Sequence, residues 1–457
     1  MRIGVAQLSP TDSSVRGIRQ LSQLYSVESF LRPDEEGRLQ PLLAKSSKLS
    51  ADGRSLQMRL RRGVKFHDGT PVDSAAVTEI LPGALRDFIG PVFADIERVS
   101  PVDAETFEVR FATSSPFVLE TMEAPFRKPG PTVIGTGPYA TSSSTTELRA
   151  FADYYLGTPV IDRIVLSNYP SVRSAWADML RDRIDMLYEV GADALDSLVG
   201  SNNVSLFTFT RHYQYTLAFN THAAALRSRE VRQALNWAVD RADLVRNSLN
   251  GHGVPSSGPL GSGYWALDRG APRYGYDIER STALLAARIS KAPVRFTCLV
   301  APDAVTERVA LELKRQLQKV GVDMTVEEVT QDQLVQRSGT GRYDALLIEL
   351  ISGPTLFRPY LVWHSTSPFN FGHFGDAAVD TALDRARRAS SEADYRRAVG
   401  DLQKTFIDDP PAIFLAWTVR ARAISKRFDV PAEEGRDILS TIRLWKPTSM
   451  SSRASRN

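Results

Sequence analysis

Hydrophobic and polar positions alternate most regularly across residues 55–77. Leu56, Met58 and Leu60 alternate with Gln57, Arg59 and Arg61, the period-two pattern of a half-buried strand. Arg62-Gly63 turns the chain, and Val64 and Phe66 return apolar side chains to one face. Asp68-Gly69-Thr70-Pro71 makes a second turn, where glycine is free to take φ > 0 and proline fixes φ. Asp73 then stands as an N-cap before Ser74, Ala75, Ala76 and Val77. The pattern predicts strand, turn, strand, turn and helix start in direct succession.

The same reading extends along the chain. Residues 2–8 predict a buried first strand, followed by the polar loop Ser9-Pro10-Thr11-Asp12-Ser13-Ser14. Residues 22–30 predict a short helix. Pro82-Gly83 predicts a break in the helix that Asp73 starts. Residues 96–100 and 106–111 predict a hairpin, and 117–122 a short helix. Val133-Ile134-Gly135-Thr136-Gly137-Pro138-Tyr139 is a second dense motif whose glycines and proline impose a fixed backbone. Residues 161–166 predict a strand, and 171–187 a helix with Trp176, Leu180 and Ile184 on one face. Residues 204–210 and 215–219 predict two strands, and 230–249 one long helix.

The last third carries a crossover pattern. A strand at 294–300, a helix at 306–320 ended by Gly321, a strand from Val322 and another at 343–348 predict a mainly parallel sheet. Helices follow at 377–389 and 392–407, then a strand at 413–417. Residues 449–457 are polar and are expected to fray.

Composition narrows the function classes. A chain of 457 residues is too long for one core, so two or three domains are expected. Lys+Arg is 56 and Asp+Glu is 53, a net charge of +3, which makes no electrostatic case for nucleic acid. Arg385, Arg387, Arg388, Arg396 and Arg397 are interleaved with Asp384, Glu392 and Asp394, the pattern of a solvated helix face. The single cysteine, Cys298, excludes an intrachain disulfide and a cysteine-based metal cluster. No run approaches the roughly 18–20 apolar residues of a membrane span. Residues 1–6 are too short for the apolar core of a signal peptide, so either the protein is cytosolic or a leader lies outside this sequence.

Catalytic and metal motifs are missing. His67-Asp68 resembles a reactive pair, but it falls in a turn with no third ligand near in sequence. His212, His222, His252, His364 and His373 have no HExxH-type spacing. No GxSxG elbow occurs, and neither Gly251-His252-Gly253 nor Gly339-Thr340-Gly341 has the lysine spacing of a phosphate loop. No enzyme, cofactor or metal is expected.

The order of motifs resembles the solute-binding proteins of ABC importers, specifically extracellular solute-binding protein family 5, the peptide, nickel and oligosaccharide class. Leu60-Arg61-Arg62-Gly63-Val64-Lys65-Phe66-His67-Asp68-Gly69-Thr70-Pro71-Val72 matches that family's hallmark nearly verbatim. Residues 135–139 are similar to its GTGPY segment, and Asp153-Tyr154-Tyr155 to its Asp-Tyr-Trp element. The runs at 215–220, 231–241, 258–260 and 276–277 continue the series in order.

The resemblance implies an α/β fold of the periplasmic-binding-protein type II kind: two lobes with a hinge and an additional small domain. Domain I would comprise 1–40, 131–235 and 424–457, domain II 41–130, and domain III 236–423, with hinge crossings near Leu235 and Ser425. A ligand would sit between domains I and III, and closure would present a surface to the permease subunits. The expected partners are a small-molecule or oligopeptide ligand and the permease, with no nucleic acid, acting as a monomer in the periplasm or another extracytoplasmic space. The alternative is a cytosolic effector domain of a transcription regulator built on the same fold.

Position in the family pattern also implies candidate ligand-binding residues. These are Thr11, Asp12 and Ser13 after the first strand; His212, Tyr213, Tyr215 and Asn220, with Arg211 beside them; Phe357, Arg358, Trp363, Asn370 and Phe371; and Trp417. Peptide-binding relatives carry an aspartate for the ligand's α-amino group in the region corresponding to 349–358. No aspartate stands there. Either Arg358 points to an anionic or neutral polar ligand, or Glu349 substitutes from a neighbouring position.

Overall fold

The computed structural model describes residues 1–6, 14–114, 117–142, 146–288, 292–370, 374–433 and 436–448. Its frame is one mixed sheet of eleven strands. From one edge the order runs Asp323–Glu328, Arg295–Val300, Ala345–Ile351, Val204–Phe219, Ala412–Ser425, Met186–Val190, Arg2–Ala6, Arg163–Tyr169, Glu147–Ala150 and Tyr139–Thr141. Gly253–Pro255 adds to Ala412–Ser425 outside this path.

Two strands run through both halves of this sheet. Val204–Phe219 has 16 residues and Ala412–Ser425 has 14, so the longer spans roughly 50 Å. Residues 204–210 pair with 419–425, and the register then shifts between Thr210 and Gln214 before 214–218 pair with 412–417. The neighbours change at that break. Met186–Val190 pairs with Ala421, Ala423 and Ile424 on one side of it, and Ala345–Ile351 pairs with 213–219 on the other. An irregularity of this kind kinks the pair and re-aims side chains.

Each half has its own core. In the first, Ile3, Val5, Leu21, Tyr25, Ile164 and Trp445 pack on one face of the sheet, and Ala175, Leu187, Leu195 and Val204 on the other. In the second, Leu217, Phe219, Leu235, Leu313, Leu347 and Leu415 form the core. The crossover unit is parallel: Arg295–Val300 pairs in parallel with both Asp323–Glu328 and Ala345–Ile351.

A separate four-stranded antiparallel sheet, Ala44–Leu49, Ser55–Leu60, Thr106–Phe111 and Ile96–Asp103, carries the helix Ser74–Ile89. The pattern at 55–77 folds here much as its alternation predicts. Leu56, Met58 and Leu60 are buried and Gln57 and Arg59 are exposed. Gly63 and Gly69 take φ of 74° and 84°. The Asp73 carboxylate accepts from Ala76 N–H at 2.9 Å. The second strand is reduced to one bridge, Lys65 with Pro71.

This motif locks to the 133–139 segment. His67 N–H donates to Gly135 O and the ring Nε2 lies 3.0 Å from Gly137 O. A Cβ at Gly135 or Gly137 would come within 2.0 or 2.4 Å of the backbone oxygens of Ser26 and Tyr25, so only glycine fits. Asp68 pairs with Lys128 at 2.6 Å, and that hydrogen bond holds its pKa down to about 2. Both residues of the His67-Asp68 pair therefore serve turn and packing roles.

Several local expectations are corrected. The first helix is Ser14–Ser26, earlier than 22–30. Pro82 does not break its helix, because Val77, Leu81, Leu85 and Ile89 bury one continuous stripe through it. The helix expected at 171–187 ends at Leu180, which is 59% exposed, and Met186–Val190 is a strand flanked by two others. The expected helix 230–249 is two, Arg229–Trp237 and Arg241–Ser248, because Asp240 caps the second through Asp243 N–H. The strands expected at 204–210 and 215–219 are one. Residues 449–457 lie outside the described residues, as do 7 and 8 of the expected first strand.

Candidate functional site

A cleft of 770 Å³ lies between the two halves of the large sheet, over the register break. This is the size range of sites for small organic ligands. The first half contributes Val5, Ala6, Gln20, Arg173, Trp176 and the helix Ala192–Leu198. The second contributes Asp303, Val305, Thr306, Gln331 and Leu334. The floor is made by the central strands: Tyr188 and Glu189, Arg211, Tyr213 and Tyr215, Glu349, and Arg420.

The floor is a charge network assembled from four strands. Arg420 reaches Glu189 at 3.3 Å and Glu349 at 3.1 Å. Arg211 reaches Glu189 at 3.6 Å and Glu349 at 3.4 Å. Thr418 Oγ1 donates to Glu349 Oε1 at 2.8 Å. Beneath them Arg422 lies 3.7 Å from Glu189, pairs with Asp437 at 2.6 Å and donates to Tyr188 O. Burial pushes the Glu189 carboxyl up, but the guanidiniums of Arg211, Arg422 and Arg420 outweigh it and hold its pKa below the ordinary range. Burial likewise lowers Arg420 and Arg422, and their carboxylate partners more than reverse this. Burying ions is tolerable only with such dense pairing.

Aromatic surface flanks the charges. The Arg211 guanidinium stands 4.0 Å over the Tyr213 ring and that of Arg422 4.3 Å over Tyr188. Two pairs join the halves at the rim. Asp193, on the helix Ala192–Leu198, pairs with Arg308 on Ala304–Gln318. Asp196, on the same first-half helix, lies 2.9 Å from His252 Nε2 of the second half.

Of the residues expected at the site, Tyr213 and Tyr215 line this cleft, as does Arg211. Others are placed elsewhere. His212 is on the same strand; its carbonyl accepts from Ser352 and Gly353, and burial lowers its imidazole pKa. Asn220 tethers the turn at Gly341 and Tyr343 through its amide. Phe357 is fully buried, stacked on Phe88 at 5.3 Å in the contact with the small sheet. Arg358 lies 4.9 Å over the Phe88 ring and is not among the described residues that line the cleft. Trp363 is core, packed edge-on against Phe414 at 5.5 Å. Asn370 bonds its own loop through Phe374 O at 2.5 Å. Trp417 is 6% exposed and faces a separate 100 Å³ recess. Thr11, Asp12, Ser13 and Phe371 lie outside the described residues.

The pattern reading missed Glu189, Arg420 and Arg422 and left Glu349 as an alternative. A signal was present. Each interrupts a run of buried apolar residues in a central strand, and a charge in such a run needs a partner. Among the described residues no group of three or more His, Cys, Asp or Glu is placed to hold a metal ion.

The model of the bacterial extracellular solute-binding proteins, family 5 Middle, matches residues 38–372. The chain belongs to this family. Among curated relatives, the probable D,D-dipeptide-binding periplasmic protein DdpA of Escherichia coli is 25% identical over 82% of this chain and 78% of its own length. The oligopeptide-binding protein AppA of Bacillus subtilis is 23% identical over 91% and 85%. The fold of this family 5 member superposes on that of NikZ from Campylobacter jejuni, solved in complex with Ni(L-His), with a TM-score of 0.82 at 23% identity, covering 97% of this chain and 99% of that one. The α/β solute-binding fold expected from the motif order is thus the one observed.

Proposed function

We propose that this family 5 protein is the substrate-binding subunit of an ABC importer, outside the cytoplasmic membrane. It takes a peptide-like or other small polar solute into the cleft between the two halves and delivers it to the permease. The observation that carries this reading is the cleft itself: two separately cored halves joined by two continuous strands, with the register break under the cavity. Relatives named for dipeptides and oligopeptides support a peptide-like ligand. No observation favours the regulator alternative.

We assign the hinge to residues 211–213 and Thr418, where the strands change neighbours, rather than to the expected crossings near Leu235 and Ser425. Domain I then ends, and domain III begins, within the two long strands. Domain II keeps the small sheet. Closure about such a pair of strands is hinge motion, and the Asp193–Arg308 and Asp196–His252 pairs clasp the closed form. These pairs are partly exposed, so each contributes only about 0.2–1 kcal/mol, enough to shift a near-balanced equilibrium several-fold.

Small-angle scattering tests this on protein stripped of small molecules by unfolding and refolding. The Asp193→Asn/Asp196→Asn variant is expected to have a larger radius of gyration than wild type and to contract when a protein digest supplemented with free amino acids and γ-glutamyl peptides is added. A radius identical in both proteins and unmoved by the digest would contradict hinge closure.

A further inference from the structure

The outer half of the charge network is unfinished in a way that specifies a ligand group. Glu189 and Arg420 are spent: their side chains are 7% and 9% exposed and fully engaged with each other and their neighbours. Glu349 Oε1 is also spent, accepting from Thr418 Oγ1 and from Arg420 Nη2. Glu349 Oε2 differs. Among the described residues its one contact is Arg211 Nη1 at 3.4 Å, a long hydrogen bond. Among the described residues Arg211 makes that same single hydrogen bond, with Glu189 3.6 Å from the same Nη1, so most of its five N–H donors are not hydrogen-bonded there. Both side chains are about a quarter exposed, on the cleft side. The Arg211 guanidinium carbon stands 4.0 Å over the Tyr213 ring, which restrains its position.

An acceptor and a fork of donors therefore stand side by side on the floor. The four groups Glu189, Glu349, Arg211 and Arg420 carry two charges of each sign. A ligand group with a single net charge would leave one charge unbalanced in a partly buried site, which is costly. A group carrying both signs leaves the balance intact. An ammonium and a carboxylate on one carbon have their nitrogen and carboxyl carbon about 2.5 Å apart, which suits an acceptor and donor 3.4 Å apart.

We propose that Arg211 and Glu349 receive the zwitterionic end of a free α-amino acid group, its ammonium on Glu349 Oε2 and its carboxylate on the Arg211 fork. The inference rests on the solute-binding reading and deepens it. The ligand class is a free amino acid, or a compound such as a γ-glutamyl peptide that keeps both α-groups. An ordinary α-linked peptide separates the two charges by its own length and does not match.

Calorimetry on stripped wild-type protein tests this with a matched panel. The panel holds the proteinogenic amino acids, γ-glutamyl dipeptides and glutathione, the N-acetyl and α-amide derivative of each, and α-linked di- and tripeptides. Binders are expected only among members that keep both α-groups, and either derivative should weaken binding at least about tenfold, the worth of a lost charge-assisted bond. Glu349→Gln should lose a similar factor for the same binder, with Glu349→Asp falling between. Because the derivatives are compared on wild-type protein, a misfolded variant does not affect the result. A binder that keeps its affinity after acetylation or amidation, or α-linked peptides binding in place of the expected class, overturns the proposal and leaves the solute-binding reading standing. No binding by any member overturns it as well, and the co-purified solute then judges the solute-binding reading separately.

Discussion

Replacing Arg420 with alanine destabilises the protein by about 3–5 kcal/mol, the range for removing one partner from a buried ion pair. Arg420 bridges Glu189 and Glu349, whose side chains are 7% and 23% exposed. Alanine leaves two carboxylates facing each other across the junction of the two halves, with Glu189 retaining only longer contacts to Arg211 and Arg422 at 3.6 and 3.7 Å. Arg420→Lys should fall between, since an ammonium cannot fork across two carboxylates. Arg420→Met combined with Glu189→Gln should recover much of the loss, because it removes one charge of each sign. Thermal and urea unfolding of the three variants measure this. An Arg420→Ala protein within about 1 kcal/mol of wild type would mean that the network is solvated in solution.

The second large effect is a pH dependence set by buried glutamates. Glu120 ties the small domain to the second half: it accepts from Tyr395 OH at 2.5 Å, Tyr264 OH at 3.3 Å and Phe357 N–H at 3.0 Å. Burial raises its pKa to about 7, against the pull of these three bonds. Glu28, held by Thr136, Tyr154 and Tyr155, is likewise raised to about 7 by burial. The unfolded chain releases these protons near pH 4.5 and the folded chain near 7. Between those values the folded state binds more protons, so stability falls as pH rises. The protonated forms stabilise fully below about pH 4.5 and the benefit is gone above about 7.

Glutamine in place of Glu120 mimics the protonated form. Its carbonyl can accept from Phe357 N–H while its amide donates to both tyrosine oxygens. Glu120→Gln should therefore remove the Glu120 contribution to the fall in stability between pH 5 and 8, and exceed wild type at pH 8 by about 3 kcal/mol. Urea midpoints at the two pH values test it, and a variant that keeps the wild-type slope would refute the assignment.

The family was legible in the sequence because its signals are local. Turn glycines, Asp73 as a cap and the alternation of 55–60 act within a few residues of one another. The GTGPY glycines mark their close approach to Ser26 by composition alone. The cleft floor was largely illegible because its charges come from strands far apart in sequence: Glu189 and Arg420 are 231 positions apart. Position in the family pattern found Arg211, Tyr213 and Tyr215, which share one strand, and named Glu349 as an alternative. It failed for Phe357, Arg358 and Trp363, whose aromatic and cationic side chains suit a binding loop equally well until packing against Phe88, Phe406 and Phe414 is seen. Helix ends were misjudged at Pro82, where a continuous buried stripe carries the helix through, and after Leu180, where residues 186–190 are buried as a central strand instead.

The central claim is that this cleft holds one solute for delivery. Native mass spectrometry of the gently purified protein measures it directly. The account predicts a species carrying one small molecule per chain. The same preparation of an Arg211→Ala variant, folded by circular dichroism, should carry far less of it. A wild-type protein free of any solute, with no mass shift after incubation with the organism's own culture medium, would contradict it.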